Sequence, residues 1–328
     1  LSDQTDFSDL TTKQPFFGQI QTKGGKNNTW KFPKERKVDP GLVNVPADYP
    51  DNSIYRTVVA QHYDAIRMED DLVGKILEGL EEAGLADNTI VVYFSDHGAN
   101  NLVRHKQMTT EGGLHVPFLI VGPRRYVPSA QIRGDLVDML DLSATTLAWA
   151  GVKKPQWYEG QDLFSVDFRP RSFVAAHKDR LDHTVDRVRS IRTDRFRYVR
   201  NYKFDRIFLQ PQYRDNKAFT QNLHDLYRQG ELSALHRRIY FGERPVEELY
   251  EVSVDPHMLV NLASDPGYVD ILSQHRALLS DWLSEGDHGI REESIQALQV
   301  NGEGTKWGEG VNVEYEAYRV DSDGDGLS

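Results

Sequence analysis

The hydrophobic pattern of the chain turns on one block, Ile90-Val91-Val92-Tyr93-Phe94, five apolar residues that stop at Ser95-Asp96-His97-Gly98. A short β-branched and aromatic run of this kind predicts a strand buried on both faces of a parallel sheet. Upstream, Val59, Tyr63, Ile66, Val73, Leu77 and Leu80 recur every three or four residues, which predicts a helix over 53–83 with one apolar stripe, ended by Gly84. Downstream, Val116-Pro117-Phe118-Leu119-Ile120-Val121 reads as a further strand, so helix, strand, loop and strand make a doubly wound unit. Leu136, Met139, Leu140, Leu142, Leu147 and Trp149 place a second helix over 135–151. Near the start, 15–21 reads as a strand leading into the loop Lys23-Gly24-Gly25-Lys26, and 27–52 has no period, as suits an active-site loop.

After Pro155 the pattern changes. Residues 172–176, 188–192 and 196–200 are short alternating runs with a turn at Thr193-Asp194, which predict antiparallel strands. Residues 247–252 add a strand and 268–283 a closing helix, while 210–235 carries no decisive pattern. The predicted fold class is therefore α/β: a doubly wound, mostly parallel sheet with a smaller antiparallel-sheet α+β subdomain. The expected boundaries are 1–155 for the first, 156–290 for the second and 291–328 for a linker and tail.

Composition narrows the function classes. A length of 328 residues is ample for a core without disulfides. With no cysteine, thiolate metal sites and thiol nucleophiles are excluded within these residues. The net charge of -11 disfavours nucleic acid as a partner, and no apolar run has the length of a membrane-spanning helix. The chain opens at Leu1 inside a polar stretch and closes within Asp321-Ser322-Asp323-Gly324-Asp325-Gly326, the opening of a calcium-loop pattern. Both ends suggest an internal piece of a longer protein, and such a tail suits an exported bacterial one.

Asp96 and His97 follow a strand end, where open α/β sheets place ligands, and together offer a hard oxygen and an imidazole to a divalent metal. Alone, the tripeptide also fits an Asp that caps a turn beside a solvated His. The next residues decide more: Lys106, four residues, Glu111-Gly112-Gly113, then the Val116-Pro117 strand. In order and spacing this segment resembles the sulfatases of the alkaline phosphatase superfamily. The similarity extends over about 15–285; Asp179-Arg180, Asp186-Arg187-Val188-Arg189 and Arg197-Tyr198-Val199-Arg200 look most like the branch with heparan N-sulfatase-like enzymes.

The resemblance implies a formylglycine nucleophile made from Cys or Ser in a Cys/Ser-x-Pro-Ser-Arg motif, and one active-site Ca2+ that neutralises sulfate oxygens. It places Asp96 and His97 in the later half of the metal site and Lys106 on a sulfate oxygen. No Ser-x-Pro-Ser-Arg occurs in the 328 residues, so the nucleophile and an early Asp pair are expected upstream. Where the family usually carries a leaving-group His, this chain has Lys26, with Lys23 at an earlier His position. Lys26 is either the acid or, with Lys23, an anion clamp; two solvated loop lysines are the plain alternative. His177, Lys178, Arg180, His183 and Arg187 form a basic cluster that suits a sulfated carbohydrate, or that pairs with Asp179, Asp182 and Asp186. The expected protein is a periplasmic or extracellular sulfatase acting on a sulfated carbohydrate. Competing readings are a phosphoester or phosphonate hydrolase of the same superfamily and a degenerate, sulfatase-like binding protein.

Overall fold

The computed structural model describes residues 6–128, 130–181 and 184–286, apart from the side chains of Arg180 and Val185. The chain divides into two compact units: the first holds the chain up to Val43 with Val59–Asn100 and Val116–Ser172, the second Asn44–Val58, Asn101–His115 and the chain from Phe173 onward. The division is therefore interleaved rather than a single cut near 155. The segments 44–58 and 101–115 cluster with the later chain because buried polar pairs tie them there, as described below. The sequence's tail with Asp321, Asp323 and Asp325 lies outside the described residues, as does His183.

In the first unit, helix α1 (Ser53–Glu82) contributes most of its length. The helix covers the predicted span, but its buried stripe differs from the apolar one. Val59 and Leu80 are buried, whereas Tyr63, Ile66 and Leu77 are exposed, and Asp64 and Glu69 take interior positions instead. The reason is the aperiodic loop beside it. Asp64 Oδ1 accepts from the Val38 N–H at 2.8 Å, and Glu69 accepts from the Gly24 N–H at 3.1 Å and Asn27 Nδ2 at 3.3 Å. Backbone donors that no strand or helix satisfies need an acceptor when covered, and a helix carboxylate supplies it.

Strands β1 (Val91–Phe94) and β2 (Phe118–Val121) form a two-stranded sheet. They pair antiparallel, Val91 with Val121 through Phe94 with Phe118, which corrects the parallel expectation for these two strands. An apolar run specifies a strand but not the direction of its partner, and the connection from Ser95 to Pro117 is long enough for either. Nor is β1 buried on both faces: Val91 packs with Leu80, Leu85 and Phe7, but Phe94, Leu119 and Val121 are exposed. The expected strand at 15–21 is irregular chain; Phe16 and Ile20, four apart, pack on Leu80 and Leu85 without a ladder. Helix α3 (Met139–Trp149) starts at Asp138, whose side chain accepts from the Leu140 and Asp141 N–H groups in a capping box.

The second unit is built on a four-stranded antiparallel sheet in the order β3 (Val174–Leu181), β4 (Thr184–Arg192), β5 (Phe196–Asn201), β6 (Glu247–Glu251). One face carries Ile191, Phe196, Tyr198 and Leu249 against Leu272 and Leu279 of helix α6 (Val269–Glu285). The other carries Val188, Val199, Tyr250, Val252 and Met258. Helix α4 (Ala218–Arg228) occupies the stretch that lacked a decisive pattern, and α5 (Ala234–Phe241) begins at its end. Helices with two sheets, both antiparallel among the described residues, agree with an α/β class whose smaller subdomain is antiparallel, without showing the mostly parallel sheet expected for the larger part. Among the described residues no helix is long and apolar enough to cross a membrane.

Candidate active-site residues

Lys106 belongs to the second unit, on a loop between Arg104 and the single-turn helix α2 (Glu111–Leu114). Three buried attachments shape that loop. Arg104 donates to Asp48 Oδ2 at 3.1 Å and to the His257 carbonyl at 2.8 Å, while its N–H donates to Tyr49 Oη at 2.9 Å. Tyr240 Oη in turn donates to the Asp48 carbonyl at 2.6 Å. At the far end, Glu111 Oε1 accepts from Arg192 Nε at 3.0 Å and from Arg197 Nε and a terminal nitrogen at 2.8 and 2.6 Å. Burial alone would raise the Glu111 pKa, but the guanidinium of Arg197, then that of Arg192, outweighs it and holds the group below its ordinary value.

The two glycines let the loop fold back on α2. A Cβ on Gly113 would lie 2.3 Å from the Met108 carbonyl and 2.4 Å from that of His105, and one on Gly112 would strike the His105 ring at 2.6 Å. Gln107, with φ 66°, takes the left-handed turn that follows Lys106. Glu-Gly-Gly is thus an anchor and a close-approach surface, and Lys106 is what it presents. Lys106 Nζ donates to Tyr213 Oη at 2.6 Å and lies 4.9 Å from that ring's centroid, half-buried, and no carboxylate among the described residues neutralises it. An ammonium held this way keeps further N–H donors for an anion.

Asp96 and His97 lie in the first unit, directly after β1. His97 Nδ1 is 2.7 Å from the Gly98 carbonyl, so that nitrogen carries the proton and Nε2 offers its lone pair. Nε2 is buried, has no hydrogen-bond partner among the described residues and lies 3.6 Å from Asp96 Oδ1. Two donors on adjacent vertices of a calcium sphere, with bonds of about 2.3–2.6 Å, stand about 3.5 Å apart. The orphaned nitrogen and its neighbouring carboxylate therefore fit part of a divalent site. Among the described residues no group of three or more His, Asp and Glu side chains converges, so the pair is a partial set. Ser95 steadies the turn: its N–H donates to the Pro117 carbonyl at 3.3 Å and its Oγ to the His97 carbonyl at 2.8 Å.

Lys23 and Lys26 project into solvent from a 3-10 turn (Gly24–Lys26) in the same unit. Glu69 clamps the turn from beneath through Gly24, Asn27 and Thr22 Oγ1. The ring of His62 packs under Gly25, and burial lowers its pKa. In the second unit the basic cluster is split by strand alternation. His177, opposite Arg189, is exposed on one face of β3. Lys178, opposite Val188, is buried on the other and donates to Asp186 Oδ2 at 2.6 Å, where Arg244 also binds at 2.8 and 3.1 Å. Arg180 follows a bulge in β3, paired with Val185. Sequence reasoning missed Asp48, Arg104, Glu69, Tyr213 and Arg244 as site supports, because their partners are distant in the chain.

Comparison with known proteins agrees with these features. The Sulfatase family model matches residues 6–152, and the model for the C-terminal part of N-sulphoglucosamine sulphohydrolase matches residues 100–240. An ulvan-active sulfatase of Formosa agariphila is 30% identical over 267 residues, covering 80% of this chain and 44% of that protein. Human N-sulphoglucosamine sulphohydrolase is 25% identical over 307 residues, 86% of this chain and 61% of the relative. The chain spans about half the length of the relatives it matches. Among solved structures, a 2-O GAG sulfatase superposes with a TM-score of 0.53 at 19% identity, over 89% of this chain and 60% of its own, which speaks to fold alone. By sequence matches on both sides of the Lys106 loop, this chain belongs to the sulfatase family, within reach of its heparan N-sulfatase-like branch.

Proposed function

We propose that this chain is part of an exported enzyme that hydrolyses sulfate esters or N-sulfates of a sulfated carbohydrate. The observation that carries the reading is Lys106: a half-buried ammonium on a doubly anchored loop, facing a tyrosine hydroxyl rather than a carboxylate. Such a charge suits a tetrahedral sulfate, whose oxygens gain charge-assisted hydrogen bonds as the S–O or S–N bond to the sugar breaks. Asp96 and His97 Nε2 would hold part of a calcium ion, which neutralises sulfate oxygens when bound, and a formylglycine outside these 328 residues would supply the nucleophile. Lys23 and Lys26 lie on one solvent-facing turn, where they hold a sulfate or carboxylate or, for Lys26, give a proton to the leaving oxygen. The names of the relatives, an ulvan-active sulfatase and N-sulphoglucosamine sulphohydrolase, support an acidic carbohydrate as substrate.

The test is made in the whole enzyme with its nucleophile present. Lys106→Ala should lower sulfate release by about two to three orders of magnitude, with calcium still bound. Asp96→Ala should lose calcium, read directly by metal analysis. Near-parental rates in both variants with calcium retained would refute the assignment.

A further inference from the structure

The sheet of the second unit has an arginine-lined depression on the face opposite the Lys106 loop. Strand alternation separates the two. Arg192 and Arg197, opposite one another across β4 and β5, point to the face where Glu111 anchors α2. Tyr198 and Arg200 point the other way, onto the α6 side. Helix α6 covers only the hydrophobic end of that face, through Leu272 and Leu279. Beyond it lies an open depression of about 480 Å³, lined by Arg200, Tyr202, Glu247, Arg276, Leu279 and Leu283.

Its polar groups are arranged for an anion. Glu247 accepts from Arg276 Nε at 2.7 Å and from Tyr198 Oη at 2.6 Å, with Arg200 at 3.3 Å. Bonded so, first by Arg276, it is pushed down to about 2 and stays ionised, fixing two guanidiniums side by side. Among the described residues, each still has N–H donors that meet no acceptor. Arg187 extends the row: the Tyr202 N–H donates to its carbonyl at 3.0 Å, its guanidinium stacks 4.6 Å from the Tyr202 centroid, and its buried Nε has no partner among the described residues. Among the described residues of the row, three arginines against Glu247 leave a local excess of positive charge on a chain whose net charge is -11. The row runs across β4, β5 and β6 to α6, at least two strand spacings or about 10 Å, longer than a single anionic group needs.

We propose that the Arg187–Tyr202–Arg200–Arg276 row is a second binding surface, for a stretch of sulfated or carboxylated polysaccharide, on the sheet face opposite the Lys106 loop. Guanidiniums recognise planar carboxylate and tetrahedral sulfate oxygens bidentately, and an acidic protein needs such a row to retain a polyanion against its own field. The choice of polysaccharide as occupant rests on the sulfatase reading; the anion-binding surface does not.

The test uses the 328-residue chain and heparin as a polysulfated probe, with dextran as the uncharged control, titrated at several salt concentrations. Arg187→Gln with Arg200→Gln should weaken heparin binding about tenfold and lower the log–log salt slope by about 2, as two ionic contacts are lost. Ser280→Glu, which adds a carboxylate at an exposed position in the depression and removes no contact, should weaken it as well. In the whole enzyme the double arginine variant should raise KM for polymer while leaving turnover of a small aryl sulfate intact. Parental heparin affinity in both the double variant and Ser280→Glu, or equal binding of dextran, would each overturn the proposal. Heparin binding without sulfate release from any substrate would leave this surface standing and remove the catalytic reading instead.

Discussion

Replacing Glu111 tests whether the Glu-Gly-Gly segment is a structural anchor. Glu111 is 7% exposed, and Arg197, which gives it two N–H groups, is 3% exposed. Glu111→Ala leaves two guanidiniums in the interior with no countercharge at that point, and breaking a buried ion pair from one side costs about 3–5 kcal/mol. Against the 5–15 kcal/mol or so that holds a domain together, the loss is large. For a unit of this size it corresponds to a fall in Tm of about 6–20 °C. Urea unfolding is the suitable assay, because an uncharged denaturant does not screen the pair. Glu111→Gln keeps an oxygen where all three N–H groups converge, so its loss should be smaller. The pH dependence follows from the lowered pKa of Glu111. The carboxylate stays ionised in the folded state at a pH where the unfolded chain, with an ordinary value of 4.5, takes up a proton. Its contribution is therefore complete above about pH 4.5 and is lost as pH falls through the lower folded value. The gap between parent and Glu111→Gln should be flat from pH 8 to 5 and close below that. A Glu111→Ala loss under about 1 kcal/mol, or a gap that widens in acid, would refute the anchor.

Gly113→Ala should destabilise by about 1–3 kcal/mol and lower activity, since its methyl meets two backbone carbonyls; Gly112→Ala should cost less, because the His105 ring it meets can turn aside. Urea melts of the pair decide it, and equal losses would contradict the account. Lys26→Ala in the whole enzyme separates its two roles. An acid role slows unactivated sugar sulfates far more than aryl sulfates, whereas an anion clamp raises KM for both. His97→Gln removes the free imidazole nitrogen and should weaken calcium retention, read by equilibrium dialysis; unchanged affinity would take His97 out of the metal site.

What the sequence determined by itself is what depends on near neighbours. Helices at 53–82, 139–149 and 269–285 and the strands around 91–94, 174–181, 184–192, 196–201 and 247–251 were legible because period and capping residues act within a few positions. The Lys106 and Glu111-Gly112-Gly113 spacing was legible for the same reason: the glycines are needed by a carbonyl only a few residues away. Tertiary structure alone decided the rest. Strand direction between β1 and β2 depends on which edges meet, and the exposure of Tyr63, Ile66 and Leu77 depends on a loop that claims Asp64 and Glu69 for its own donors. The basic run at 177–187 looked like one cluster until alternation and a bulge sent His177 outward and buried Lys178 with Asp186 and Arg244. A charge's meaning is set by the partner across the fold and by the water it loses, and neither is written within a window of neighbouring residues.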